Sequence, residues 1–315
     1  MARRAIVLMN LGGPDSLTAV RPFLTNLFSD KAIIDLPLLL RWPLAWLIAR
    51  RREAVARDIY DHLGGGSPLV ANTKAQGDAL EAALGPGNRS FVAMRYWHPL
   101  TGETVAQVKA WQPDEIVCLP LYPQFSTTTT ASSLAAWQRE AARQALACPT
   151  RIVPPYPAAP GFIAALAGLI GPVLDAAARD QKTRLLLSAH GLPLKIVQRG
   201  DPYPQQIEQT ATALVAALER PELDRVVCYQ SRVGPLAWLG PATDDEIRRA
   251  GRDGVAVVVA PISFVSEHSE TLVELDRDYR RLAETAGVPA YYRVPAVGTD
   301  PRFITALAAL VEAAA

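Results

Sequence analysis

Short apolar runs rich in Val, Ile and Leu alternate along the chain with longer stretches rich in Ala, Leu, Glu and Arg. The short runs predict strands buried on both faces, and the longer stretches predict the helices between them. Helices are expected, for example, at residues 134–146, 204–219 and 270–284. Strands are expected at residues 5–11, 90–96, 115–121 and 151–154, and again at 184–190, 225–231, 255–264 and 291–297. This alternation predicts βαβ units and parallel sheets.

The two halves of the chain repeat one pattern, with four predicted strands in each and a Pro- and Ala-rich join at residues 154–160. The first strand of each half ends in a Gly-containing loop, N-L-G-G-P or S-A-H-G-L-P. The third strand ends in Pro and a polar loop, L-P-L-Y-P-Q-F-S-T or A-P-I-S-F-V-S-E-H-S-E-T. We therefore predict an α/β fold of two similar Rossmann-like domains, residues 1–157 and 158–315, each a four-stranded parallel sheet flanked by helices. The four loops would face a cleft between the domains, since ligands of such sheets bind beyond the carboxyl ends of the strands.

Composition and charge narrow the function classes. The 315 residues include 32 Lys and Arg against 31 Asp and Glu, so a net charge of +1 offers no basic excess for binding nucleic acid. The three cysteines, Cys118, Cys148 and Cys228, are odd in number and far apart. This spacing argues against a disulfide framework, a zinc ribbon or an iron–sulfur site, and it is typical of a reducing compartment.

The most apolar segment spans residues 33–49, and Arg50, Arg51 and Arg52 follow it directly. Two prolines, an aspartate and an arginine interrupt this segment, so it cannot cross a bilayer as one helix. Two interpretations stay open. Apolar residues beside a basic cluster are typical of a segment that lies at a membrane interface. The alternative is an ordinary core segment followed by solvated arginines.

Of the four histidines, His190 is the one whose position most favours chemistry. It ends the predicted strand 184–190 and is followed by Gly191, which places the imidazole at the rim of the predicted cleft. A histidine whose hydrogen bonds are satisfied in the core is the alternative interpretation.

Acidic residues recur around His268, at Glu267, Glu270, Glu274 and Asp278. Their spacing puts all four on one face of the predicted helix. One explanation is a solvated face that pairs with nearby arginines. The other is a line of carboxylates suited to a divalent cation, because carboxylate and imidazole donors bind Fe²⁺, Mn²⁺ or Zn²⁺ without holding them as thiolates would.

Taken together, these motifs resemble those of ferrochelatases, the enzymes that insert ferrous iron into a porphyrin to make haem. The similarity covers nearly the whole chain, from V-L-M-N-L-G-G-P-D to G-T-D-P-R-F. The specific motifs are L-G-G-G-S-P-L, M-R-Y-W-H-P-L-T, L-P-L-Y-P-Q-F-S, L-S-A-H-G-L-P, S-R-V-G-P-L-A-W-L-G-P and F-V-S-E-H-S-E-T-L.

The resemblance implies a set of site residues. His190 would face the porphyrin nitrogens, Glu270 would face His190 across the macrocycle, and His268 would support Glu270. His190 and Glu270 are then the implied metal-contacting pair, while Glu267, Glu274 and Asp278 form an acidic path for metal or protons. The implied porphyrin-binding residues are Leu11, Arg95, Tyr96, Tyr122, Trp238 and Phe264 around the ring, and Arg52, Tyr60 and Ser67 at its carboxylates.

The implied reaction is that of a lyase-class metal chelatase, which inserts Fe²⁺ into protoporphyrin IX as the terminal step of haem biosynthesis. Two pyrrole protons leave and protohaem forms. Our hypothesis is that His190 accepts the protons and Glu270 helps to deliver iron; the reverse, with His190 binding the metal, stays open. The alternative functions are a coproporphyrin-specific ferrochelatase, a cobalt or nickel chelatase for another tetrapyrrole, and a non-catalytic porphyrin or haem carrier.

Departures from the family pattern add further expectations. Thr127 stands where cluster-bearing relatives have a cysteine, so we expect neither an iron–sulfur cluster nor any permanently bound cofactor, with Fe²⁺ as substrate. Leu11 replaces the tyrosine typical of coproporphyrin-specific members, which favours protoporphyrin IX, as does the apolar segment 33–49. No transit peptide precedes the first strand, which implies a cytoplasmic enzyme in transient contact with the inner face of the cell membrane. The preceding porphyrinogen oxidase is the expected porphyrin donor.

Overall fold

Two four-stranded parallel sheets organise the chain, one in each half. The computed structural model describes residues 3–179 and 181–314. The chain divides into two units. Unit 1 runs to Tyr122 and also holds Ser126–Pro154 and the residues from Leu307 onward; unit 2 holds Pro123–Phe125 and Pro155–Ala306.

The main boundary between the units lies after residue 154, whereas the sequence predicted it after residue 157. The Tyr156 N–H donates to the Pro123 carbonyl at 2.9 Å, which ties the start of the join to the short 123–125 segment of unit 2. The sequence also predicted that the C-terminal residues belong to the second domain, but those from Leu307 onward group with unit 1.

The sheet of unit 1 has the strand order β2-β1-β3-β4. Its central strand, β1, aligns Arg4 with Asn88 of β2 and with Glu115 of β3. The strands are β1 (Arg4–Asn10), β2 (Asn88–Met94), β3 (Glu115–Pro120) and β4 (Thr150–Ile152). The helices are α1 (Val20–Phe28), α2 (Leu38–His62), α3 (Leu69–Leu84), α4 (Thr101–Trp111) and α5 (Thr130–Arg143), with a 3₁₀ turn at Leu17–Ala19 before α1.

The sheet of unit 2 repeats this arrangement with the order β6-β5-β7-β8. The strands are β5 (Thr183–His190), β6 (Asp224–Gln230), β7 (Ala256–Pro261) and β8 (Tyr291–Arg293). The helices are α6 (Pro160–Ala177), α7 (Leu194–Val197), α8 (Tyr203–Leu218), α9 (Thr243–Asp253), a π-helix (Glu270–Asp278), α10 (Tyr279–Thr285) and α11 (Pro301–Ala314).

All eight predicted strands are present, and the predicted parallel α/β fold is confirmed. Strands β7 and β8 are shorter than predicted, because apolar residues continue beyond the point where strand pairing stops. The predicted helix 270–284 is also different: its first nine residues form a π-helix, and only its end is α-helical. π-Helical segments are rare and occur frequently at functional sites.

Within the described residues, one helix, α6, has the length and composition of a membrane span. Much of its apolar surface, including Phe162, Leu166 and Ile170, is buried inside the protein. A buried core helix satisfies the same criteria, so α6 is no evidence for a membrane span.

Close packing between α9 and the residue after α10 gives a test of the fold of unit 2. An added Cβ at Gly251 would lie 2.0 Å from the Ala286 carbonyl oxygen, whereas one at Gly171 in α6 would meet nothing within 4 Å. We expect Gly251→Ala to lower the free energy of unfolding by about 1–3 kcal/mol through overpacking. Gly171→Ala is the milder change and should keep it within about 1 kcal/mol, because helix propensity favours alanine while the following Pro172 disfavours a Cβ in helical backbone. Denaturant titration measures both, and a Gly251→Ala protein as stable as Gly171→Ala would contradict the packing.

Candidate active site

The His190 imidazole stands at the carboxyl end of the central strand of unit 2, as the sequence predicted. It is the last residue of β5, and its Nδ1 lies 2.8 Å from Oε2 of Glu270. The His190 side chain remains 42% exposed and that of Glu270 27% exposed. The pair therefore combines a direct hydrogen bond with access from outside.

The π-helix places Glu270 opposite the strand end. Glu270 is its first residue, and the loop before it carries Phe264 and His268. The Phe264 ring lies edge-on to His190 at 6.3 Å and packs against His268 at 4.6 Å between centroids. Nε2 of His268 is 3.9 Å from Oε2 of Glu270. The structure thus brings together all four residues that sequence reasoning placed around the end of β5.

Burial and neighbouring charges shift the pKa values of His190 and Glu270 in opposite directions. Burial alone would lower the pKa of His190, but the hydrogen-bonded Glu270 carboxylate outweighs it, so the pKa of His190 lies above its usual value. Burial would raise the pKa of Glu270, but His190 and then His268 hold it well below its usual range. Each group of the pair thus stabilises the charged form of the other.

A second carboxylate, Glu274, is bound one turn further along the π-helix. Its Oε1 accepts hydrogen bonds from the Ser231 N–H at 2.8 Å and from the Tyr279 hydroxyl at 2.9 Å. Its Oε2 accepts one from the Ser231 hydroxyl and one from Gln230 at 3.2 Å. Burial, followed by the negative charge of Glu270, raises the pKa of Glu274. Adjacent carboxylates with pKa values shifted in opposite directions are typical of functional sites.

The predicted single acidic face differs from the structure at one end. Glu267 precedes the π-helix, and its Oε1 binds Arg293 at 2.7 Å and the Ala296 N–H at 3.0 Å. Asp278 ends the π-helix, is half-exposed, and pairs with Arg277 at 2.7 Å. The error arose because a uniform α-helical period was extended across a loop and a π-helix. The acidic path itself stays a prediction, with Glu274 its member nearest to Glu270.

In unit 1, two of the predicted porphyrin-binding residues share one buried carboxylate, Asp30. Oδ2 of Asp30 accepts hydrogen bonds from Arg95 at 2.6 Å, from the Tyr96 hydroxyl at 2.8 Å and from the Ser132 hydroxyl. Arg95 also donates to Ser132 at 2.7 Å. Tyr96 has no exposed surface, and its ring packs inside unit 1. The predicted contact between Tyr96 and the porphyrin stays a prediction.

Loops after β1 and before α3 bring three further predicted residues close together. The Ser67 N–H donates to the Pro14 carbonyl at 2.7 Å, and a Cβ added at Gly13 would lie 2.5 Å from the Ser67 side chain. Tyr60 is buried beside them, with its hydroxyl 4.0 Å from that same Cβ position. The Leu11 carbonyl accepts the Tyr96 N–H at 3.0 Å. The Gly-rich segment is therefore a tight turn packed against the first loop.

The remaining predicted residues have separate surroundings. The Arg52 guanidinium lies 5.9 Å from the ring of Phe28. The Tyr122 hydroxyl lies 3.4 Å from Ser133, and burial raises its pKa. Trp238 forms a bridge with Pro193, beside the loop that follows His190.

The apolar segment 33–49 is largely exposed where it enters α2. Leu39 is 87% exposed, and its neighbours on the same part of the helix share this exposure: Leu36, Leu38, Leu40, Trp42, Trp46 and Leu47. This contradicts the interpretation of the segment as an ordinary core element. The exposed apolar surface formed by these seven residues is called the α2 patch below.

Several residues of the site escaped sequence reasoning. Ser231 opens the S-R-V-G-P motif, and its φ of 61° is unusual for a residue other than glycine, yet nothing in the sequence indicated a bond to Glu274. Asp30, Tyr203 and Ser263 gave no local signal either.

Among residues 3–179 and 181–314, no group of three or more His, Cys, Asp and Glu side chains could hold a metal ion. The His190–Glu270 pair thus supplies two donors.

Known sequences agree with these motifs over the whole chain. The family model for ferrochelatase matches residues 3–315. A ferrochelatase of Caulobacter vibrioides is 54% identical over 98% of this chain and 89% of its own. One from Wolbachia sp. subsp. Drosophila simulans is 49% identical over 98% of both chains, and one from Pelagibacter ubique is 43% identical over 98% of this chain and 90% of its own.

Solved chelatases share the fold at low sequence identity. SirB from Bacillus subtilis, solved with Fe³⁺, has a TM-score of 0.55 at 14% identity and covers 99% of this chain and 96% of its own. The sirohydrochlorin chelatase SirB from Bacillus subtilis subspecies spizizenii, in complex with cobalt, has a TM-score of 0.57 at 12% identity, with 99% and 95% covered. From the motifs, the His190–Glu270 pair and these relatives, we conclude that the chain belongs to the ferrochelatase family of enzymes, metal chelatases that insert metal into porphyrin.

Proposed function

We propose that the protein inserts Fe²⁺ into protoporphyrin IX, releasing two protons and giving protohaem as the terminal step of haem biosynthesis. Its reaction class would be that of a lyase. The single observation that carries this proposal is the hydrogen-bonded, partly exposed His190–Glu270 pair at the end of β5. Insertion needs a group that accepts pyrrole protons and weak donors that release iron, and imidazole and carboxylate supply both.

The geometry of the pair favours His190 as the proton acceptor. Glu270 binds Nδ1, so the ring presents Nε2 to its surroundings, in the way that a hydrogen-bonded carboxylate orients a histidine. The neighbouring Glu274 adds negative charge without touching the imidazole, which supports a role for Glu270 and Glu274 in attracting a cation. In the alternative assignment, in which His190 binds the metal, the nitrogen that binds it is also Nε2.

Protoporphyrin IX is proposed over coproporphyrin because of the α2 patch. Coproporphyrin carries four carboxylates and protoporphyrin two, so an apolar surface suits the second better. The patch also supports transient attachment to the inner face of the cell membrane, because Arg50, Arg51 and Arg52 follow it and anionic lipids attract such clusters. We further propose a cytoplasmic enzyme without an iron–sulfur cluster or other resident cofactor, which binds no nucleic acid and receives porphyrin from the preceding oxidase.

Removing the Glu270 charge distinguishes an enzyme from a porphyrin carrier. We expect anaerobic mixing of the protein with Fe²⁺ and protoporphyrin IX to give many turnovers, and Glu270→Gln to reduce kcat by at least roughly 10²-fold. Glu222→Gln changes an exposed carboxylate outside the site and should retain full activity. Spectral change that stops at one equivalent would support the carrier, and turnover with coproporphyrin alone would overturn the proposed substrate.

The pKa of His190 provides a pH test of the pair. In the wild type, Glu270 raises this pKa, so neutral His190, and with it kcat, should increase as the pH rises through that elevated value. In Glu270→Gln, the Glu270 carboxylate no longer opposes the effect of burial, so the pKa of His190 should fall. Titration of the His190 ring signals by NMR in the wild type and in Glu270→Gln measures the change. An unchanged His190 titration would show that Glu270 does not control it.

Membrane contact is tested by placing a charge on the most exposed residue of the α2 patch. We expect Leu39→Asp to weaken sedimentation with phosphatidylglycerol vesicles by roughly tenfold, because a charge would have to enter the lipid interface. Val55→Asp is the matched control, since Val55 lies on the same helix, is 67% exposed and is outside the patch. Equal binding by wild type and Leu39→Asp would argue against attachment through this surface.

A further inference from the structure

At His190, strand β5 is still paired with the strand on one side but no longer with the strand on the other side. Strand β5 pairs with β6 as far as His190 opposite Gln230, but with β7 only as far as Ser188 opposite Pro261. The last ladder bond on the β7 side runs from the Ile262 N–H to the Ser188 carbonyl at 3.0 Å. Beyond it, the N–H and carbonyl of His190 have no strand partner on that side.

Two side chains take the place of the missing strand. The His190 N–H donates to the Ser263 hydroxyl oxygen at 3.0 Å, and the Tyr203 hydroxyl donates to the His190 carbonyl at 3.1 Å. The Ser263 and Tyr203 hydroxyls therefore occupy both main-chain groups of His190, the first as acceptor and the second as donor.

These two bonds join three separate elements around one catalytic residue. Tyr203 is the first residue of α8 and is buried, His190 ends β5, and Ser263 follows β7. A main-chain N–H and carbonyl without a strand partner need other partners, so Ser263 and Tyr203 fix the main chain of His190. The His190 side chain, by contrast, is hydrogen-bonded through Nδ1 to Glu270.

We infer that Tyr203 and Ser263 are positioning residues for metal insertion, which hold the main chain of His190 so that its imidazole meets Glu270 at the open end of β5. The inference rests on the proposed function for its catalytic consequence and on the two hydrogen bonds to the His190 main chain for its structural one. Neither residue is placed against the substrate.

The test compares Tyr203→Phe, Ser263→Ala and the double variant by anaerobic insertion of Fe²⁺ into protoporphyrin IX. We expect each single change to lower kcat about tenfold, as is typical for residues that orient a reacting histidine. KM for both substrates should stay within about twofold, because no binding contact is lost. The double variant should be little worse than either single one, because both residues hold the main chain of the same residue and their effects are coupled. Ser263→Thr, which retains the hydroxyl, should restore kcat.

Amide hydrogen exchange gives a readout that does not depend on turnover. The His190 N–H should be protected in the wild type and should exchange faster in Ser263→Ala. Tyr156→Phe is the control, because it removes a hydroxyl from another buried tyrosine of unit 2 and should change neither exchange at His190 nor kcat.

Wild-type kcat in both single variants, or losses that multiply in the double variant, would overturn the inference. Rapid exchange of the wild-type His190 N–H would show that its hydrogen bond to Ser263 does not form. A wild type without turnover, but with a protected His190 N–H, would instead remove the proposed function and leave that main-chain bond standing.

Discussion

Two partly buried carboxylates on neighbouring turns, Glu270 and Glu274, impose the main physical constraint on unit 2. Like charges in such surroundings repel each other and lose hydration, so each must obtain partners from elsewhere in the fold. Glu270 obtains His190 and His268, while Glu274 obtains donors from the end of β6 and from Tyr279. The ends of β5 and β6 are thereby tied to the π-helix.

Ser231 is central to this arrangement because it serves both carboxylates. Its left-handed backbone turns the chain directly after β6, and it aims both the N–H and the hydroxyl at Glu274. The same hydroxyl lies 3.2 Å from Oε2 of Glu270. A glycine would adopt this conformation more easily but would have no hydroxyl to offer. The unusual φ at this position is therefore matched by a hydrogen-bonding role.

In unit 1, the partly buried carboxylate of Asp30 likewise obtains its hydrogen-bond donors from distant parts of the chain. One buried carboxylate collects donors from the loop after β2 and from α5, and its main chain also accepts the N–H groups that begin the segment leading to α2. Arg95 and Ser132, with the other donors, lower the pKa of Asp30 despite its burial. These bonds fix the start of the segment that leads into α2, although the α2 patch itself is exposed.

The sequence by itself determined the eight strands, their division into two sheets and the position of His190 at a strand end. These depend on short-range hydrophobic patterns and on the rule that ligands gather at the carboxyl ends of parallel strands. The motifs also indicated the family. What only the tertiary structure decided were contacts between residues far apart in the chain: His190 and Glu270 are separated by 80 positions, Ser231 and Glu274 by 43, and Asp30 and Ser132 by 102. Helical periodicity continued one acidic face from Glu270 back to Glu267, which in the structure precedes the π-helix and binds Arg293, because a local period carries no information about which distant partner a charge will find.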